Sequence, residues 1–98
     1  MPIMDRKTLN STPDGVREYH SRYLMAVNNP LRREILRALK VGETTFENLQ
    51  EKTALDYKML EWHLNILEYG FCVEKIIKKK TICYKLTQEG EVVDHIIE

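Results

Sequence analysis

Cysteine is scarce in this chain: Cys72 and Cys83 are its two thiols, too few for the disulfide framework on which small secreted domains rely. Reduced thiols are therefore expected. Neither sign of charge dominates, since 15 basic residues face 15 acidic ones, and the basic balance that marks many nucleic-acid binders is missing. No apolar run approaches the roughly 18 residues of a membrane span, and the amino-terminal stretch holds no signal-peptide core. A cytoplasmic protein away from membranes is the expectation. A glycine-rich phosphate loop, a nucleophile elbow, a metal-ligand cluster and internal repeats are missing too, so neither catalysis nor a cofactor is expected.

What is present fits one folded domain. The 98 residues are 43% hydrophobic and 31% charged, the balance of a globular chain of single-domain size. Charge is unevenly placed along them. Residues 30–42 carry Arg32, Arg33, Arg37 and Lys40 against Glu34, a balance of +3, and residues 71–86 carry Lys75, Lys78, Lys79, Lys80 and Lys85 against Glu74, a balance of +4. The closing segment, with Glu89, Glu91, Asp94 and Glu98, sums to −4 and should face away from a polyanion.

Residues 1–13 have polar turn chemistry and read as a flexible arm ahead of a domain over 14–98. Val16, His20, Tyr23, Leu24 and Val27 then recur at helical spacing, predicting a first helix over about 15–28. Asn28 or Asn29 can cap a second helix with Pro30 at its first position, Leu31, Ile35, Leu36, Ala38 and Leu39 facing inward and Gly42 as its stop. Thr44 and Thr45 suit a short extended stretch, and Thr44 with Glu47 suits a capping box for a short helix burying Phe46 and Leu49. After a turn at Thr53 and Ala54, Asp56 caps a longer helix with Leu60, Leu64 and Leu67 inward, ended by Gly70. The segments 72–77 and 82–86 flank a lysine-rich turn at 78–81 and predict a β-hairpin. Thr87 can cap a final helix striped by Val92, Val93, Ile96 and Ile97. The fold class is mainly α with a small β-hairpin wing (α+β), in the order helix-helix-helix-helix-β-β-helix.

That order, with the segments NPLRREILRAL (29–39), FENLQEKTALDYKMLEWHLNIL (46–67) and LTQEG (86–90), resembles the ArsR-like family of winged helix-turn-helix transcriptional regulators. The most family-like stretch is Leu60, His63, Leu64 and Leu67 followed by Gly70. Two features depart from the pattern. Only Glu68 and Tyr69 separate Leu67 from Gly70, where relatives usually have three residues, and the recognition helix carries acidic and aromatic side chains in place of small hydroxyl and basic ones. Of the family's metal-sensing types, one places cysteines on the recognition helix, which has none here; the other uses acid and histidine ligands on the last helix, which Asp94, His95 and Glu98 echo in part. No metal site is expected.

The resemblance implies a homodimer that binds double-stranded DNA, with the recognition helix at about 56–69 in the major groove and the wing at 78–81 on the backbone or minor groove. Off the leucine stripe lie Tyr57, Lys58, Glu61, Trp62 and Asn65, which offer a phosphate or guanine contact at Lys58, an adenine edge at Asn65 and a cytosine amino group at Glu61. An ordinary solvated face is the competing reading. Lys78, Lys79 and Lys80 suit phosphates, although a lysine-rich tip also guards a hairpin against aggregation. Arg32 and Arg33 are further phosphate candidates, and His63 is read as packed and hydrogen-bonded. Cys72 and Cys83, on neighbouring strands, form either a redox pair or two buried thiols, depending on register. Tyr23, Leu24, Val27, Val92, Val93, Ile96 and Ile97 are the expected dimer surface. The alternative function is a winged-helix protein-interaction module without sequence-specific DNA binding.

Overall fold

The computed structural model describes residues 11–93. Ile96 and Ile97 of the expected dimer surface, and Asp94, His95 and Glu98 of the partial metal motif, lie outside them.

Helix α1 spans Pro13–Val27, with proline at its first position and the Thr12 hydroxyl accepting from the Gly15 amide at 2.9 Å. It begins two residues earlier than its apolar pattern predicts, taking in the end of the expected arm, because Thr12-Pro13 is itself a start signal. The predicted stripe is also rotated: Gly15, Arg22, Tyr23, Ala26 and Val27 are buried, while Val16 and His20 face outward and Leu24 is 53% exposed. Small residues explain the choice of face. Gly15 and Ala26 are buried on it, and at Ala26 the helix passes so close to Gly70 that a Cβ built there would lie 2.4 Å from the Ala26 Cβ.

Asn29 caps helix α2, Pro30–Ala38, accepting from the Leu31 and Arg32 amides at 2.9 and 3.2 Å. Ile35, Leu36 and Leu39 enter the core as expected, whereas Leu31 faces outward and Arg32 is buried in its place. A 3-10 turn over Leu39–Val41 ends at Gly42, whose φ of 121° suits glycine. Strand β1, Thr44–Thr45, leads directly into helix α3, Phe46–Thr53. The cap is Thr45, accepting from the Asn48 amide at 3.1 Å, not Thr44, which is held in the strand while its hydroxyl donates to the Gly42 carbonyl at 2.9 Å.

Ala54 takes the left-handed conformation (φ 59°) that closes α3, and Asp56 accepts from the Met59 amide at 2.8 Å to cap helix α4, Tyr57–Tyr69. Leu60, Leu64 and Leu67 are fully buried, the face on which the domain is built. Strands β2 (Val73–Lys78) and β3 (Thr81–Leu86) form an antiparallel hairpin, and β1 adds to β3 to give the sheet order β1-β3-β2. Thr87 caps the last described helix, α5 (Gln88–Glu91), and Val93 joins the core.

The short spacing after Leu67 has a structural answer. The residue four after Leu67, where relatives usually have glycine, is Phe71, and it takes the left-handed φ of 66° itself. Its ring stacks on Tyr19 (centroids 5.0 Å apart) and lies 4.5 Å from the Arg22 guanidinium, contacts that offset the strained backbone.

Register decides the cysteines. Cys83 pairs with Ile76, four residues from Cys72, so the two thiols are separated along the strand by about 13 Å. A disulfide needs Cα atoms about 4.4–6.8 Å apart. Both cysteines are free and buried, which removes the redox pair. Burial, followed by the nearby Glu89 carboxylate, pushes the Cys72 thiol up to about 12.

Candidate nucleic-acid interface

A three-residue turn, 54–56, joins α3 to α4, the connection expected of a helix-turn-helix. With its leucines locked into the core, α4 turns Tyr57, Lys58, Glu61, Trp62 and Asn65 to solvent along one side. All five candidates from the sequence therefore share an accessible face. Trp62 is 55% exposed and Tyr57 57% exposed, with the Tyr57 ring resting 5.0 Å from that of Phe46.

The wing turns through Lys79 and Lys80, with Lys79 at φ 40°. Lys78 is engaged differently. Its ammonium pairs with the Glu43 carboxylate at the mouth of β1, which raises the lysine and lowers the glutamate from their ordinary values, chiefly through that hydrogen bond. The free cationic tip is thus narrower than three lysines. Beyond the core edge the hairpin also exposes Ile77 (72%) opposite Ile82.

Arg32, a phosphate candidate by sequence, is instead buried, with Nε donating to the Ala26 carbonyl at 2.8 Å, one terminal nitrogen to the Met25 carbonyl at 3.0 Å and the other meeting His63 Nδ1 at 3.2 Å. Arg33 is half-buried and donates to the Val27 carbonyl at 3.0 Å. The reason lies at the end of α1, whose last turn carries no cation and leaves carbonyls without helical partners. Two guanidinium groups from α2 satisfy them and complement the negative end of the helix dipole. A single sequence does not signal this, because the same arginines suit a solvated face equally well.

His63 is packed and hydrogen-bonded as expected. Its ring lies 4.9 Å from that of Trp62 and is held below the ordinary histidine value by burial first and the Arg32 charge second. Arg22 was missed altogether. It is buried, donates to the Tyr69 carbonyl at 2.9 Å and sits 3.7 Å from the Tyr69 ring, tying α1 to the end of α4.

The expected dimer surface divides. Tyr23, Val27 and Val93 are buried in the protomer's own core, while Leu24 and Val92 remain exposed, as does Met25 at 48%. Tyr23 and Tyr19 instead reach α5, donating to the carbonyl and carboxylate of Glu89 at 3.4 and 2.9 Å. Among the described residues, no helix is long and apolar enough to cross a membrane, and no group of three or more histidine, cysteine or acidic residues is placed to hold a metal ion.

No family model matches the chain, and no curated protein matches its sequence. Solved structures do. The solution structure of the homodimeric winged helix-turn-helix DNA-binding domain of a possible ArsR-family transcriptional regulator from Mycobacterium bovis aligns at a TM-score of 0.77 and 22% identity, over 96% of this chain and 83% of that one. NolR from Sinorhizobium fredii aligns at 0.70 and 26% identity, over 99% and 89%. The transcriptional repressor BigR from Xylella fastidiosa aligns at 0.69 and 21% identity, over 95% and 93%. With its four helices, hairpin wing and closing helix, the chain has the winged helix-turn-helix fold that solved structures of ArsR-family transcriptional regulators share.

Proposed function

We propose that the protein is a cytoplasmic, sequence-specific regulator of transcription that binds double-stranded DNA as a homodimer. The observation that carries this is α4: its leucine face is fully buried, and its opposite face presents Tyr57, Lys58, Glu61, Trp62 and Asn65 from a capped amino-terminal end. A helix so presented fits the width of the major groove, where Asn65 suits an adenine edge and Glu61 a cytosine amino group. Lys79 and Lys80 supply phosphate contacts from the wing. The structural neighbours, transcriptional regulators that include a homodimeric DNA-binding domain, support the same reading. Leu24, Met25 and Val92 are the exposed apolar side chains on which the two protomers meet. Two recognition helices then lie one DNA turn apart, roughly 34–36 Å, and the preferred site is an inverted repeat.

A second reading has one observation in its favour. Two half-exposed aromatic residues beside Glu61 and Glu68, with Lys58 as the only cation on the helix, also suit a protein partner. Titration of fluorescent duplexes at several salt concentrations separates the two. Salt-dependent binding with a preference among sequences supports the DNA reading, and no binding even at low salt selects the protein-interaction module.

A further inference from the structure

Arg32 and His63 meet where α1, α2 and α4 converge. Arginine has donors only, so at 3.2 Å the His63 Nδ1 must accept, which leaves the ring's proton on Nε2. That Nε2 is the one buried side-chain nitrogen or oxygen among the described residues that lacks a hydrogen-bond partner. The contact is therefore conditional on a neutral ring. A second proton would enter on Nδ1, placing two cations and two opposed N–H groups at the same 3.2 Å in a buried site. The influences on the ring are burial and the Arg32 charge, and both oppose a second proton. On the elements packed against α4, Arg22 of α1 is turned to Tyr69 and Phe71, and Asp14, Arg17, Glu18 and His20 are exposed; on α2, Arg33 donates to the Val27 carbonyl, and Glu34 and Arg37 are exposed; on β2, Lys78 pairs with Glu43 and Glu74 with Lys85, and Lys75 is exposed; on α4 itself Lys58, Glu61 and Glu68 face solvent.

We propose that Arg32 and His63 form a proton-sensitive seat for the recognition helix, which holds α4 against α1 and α2 while His63 is neutral and loosens when His63 is protonated. Trp62 carries the change to the interface: it precedes His63 on the exposed side, 4.9 Å from the imidazole and 5.9 Å from the Arg32 guanidinium. The proposal rests on the DNA-binding reading for its functional consequence, but the seat itself is measurable without DNA. Its sign is opposite to the general one. Acidification makes a protein more positive and ordinarily strengthens DNA binding, whereas release of the seat weakens it.

Trp62 is the only tryptophan in the chain and reports directly on its neighbour. Its fluorescence in the intact protein is titrated from pH 8 to pH 5, alongside urea midpoints and duplex affinity at each pH. Expected are a transition centred below the ordinary histidine value of about 6.5, a falling urea midpoint over the same range, and duplex affinity reduced at least about fivefold, the low end of ordinary coupling between sites. His63→Gln should abolish all three. Arg32→Gln keeps an N–H donor but removes the charge, and should move the Trp62 transition to higher pH, a shift that loss of packing alone does not produce. Should His63→Gln fail to fold, the wild-type transition and its displacement in Arg32→Gln decide the matter. A flat Trp62 titration, or a transition unchanged in Arg32→Gln, overturns the seat. A transition without loss of affinity overturns its coupling to DNA, and absence of duplex binding at every pH, with the fluorescence transition intact, overturns the DNA-binding reading and leaves the seat standing.

Discussion

Gly70 and Ala26 are in such close approach that no side chain fits between them: a Cβ on Gly70 would meet the Ala26 Cβ at 2.4 Å and the Arg22 carbonyl oxygen at 2.8 Å. The φ of Gly70 is −89°, open to any residue, so glycine is required here for space alone. Gly70→Ala should force α1 away from α4 and cost about 1 to 3 kcal/mol. Thermal melts check this, with an expected drop of roughly 5 °C or more for a domain this size. An unchanged melt would mean that the two helices separate without penalty.

Leu64 sits fully buried at the centre of the Leu60, Leu64, Leu67 face. Leu64→Ala should destabilise by about 2 to 5 kcal/mol, a large part of the 5 to 15 kcal/mol that holds an ordinary domain together. Urea unfolding at neutral pH measures it, and a cost below 1 kcal/mol would contradict the packing described.

The Lys78–Glu43 pair alters the arithmetic of the wing. Three wing lysines would give six cations in a dimer, whereas two leave four, worth roughly 3 to 4 units in the slope of log affinity against log salt. Lys79→Gly with Lys80→Ala should flatten the slope by up to that amount and weaken specific and random duplexes alike, while Asn65→Ala should mainly erode the preference among sequences. Glu43→Gln should act in the opposite direction, freeing Lys78 and steepening the slope. A Glu43→Gln slope equal to wild type would show that Lys78 remains apart from DNA.

Both thiols should resist a disulfide reagent in the native protein at pH 7.5 and react together after denaturation, because both are buried and Cys72 is held up to about 12. Rapid native reaction would overturn the burial. The same shift has a thermodynamic sign. A thiol raised from 9.0 to about 12 contributes stability that is complete below pH 9 and is lost as pH rises toward 12. Urea midpoints should therefore fall above pH 9.

Strong local signals made most of the fold legible in the sequence. Asn29-Pro30, Asp56 and Thr87 are caps whose chemistry acts within three residues, and the leucines of α4 repeat without interruption. The rotated face of α1 was not legible, since it is chosen by the fit of Ala26 to Gly70, 44 positions away. β1 was expected as an extended stretch, but its pairing with β3 depends on tertiary contact. At the interface, the exposed side of α4 followed from periodicity, whereas Arg32, Arg33 and Lys78 have partners that periodicity does not encode. Phe71 shows the converse case, in which a departure from a family spacing marked a real strain in the backbone.

The addition of β1 to β3 also orders events in time. The β2–β3 hairpin closes across two residues, a step that takes about 1–10 μs, whereas Thr44 and Tyr84 pair across forty. Long closures carry their entropic cost before their contacts form, so the hairpin is expected to assemble before β1 joins it. Substitutions in β1 should then leave the refolding rate nearly untouched and act on unfolding instead. Stopped-flow refolding and unfolding of a Thr45→Gly variant would check this: a faster unfolding rate with an unchanged refolding rate is expected.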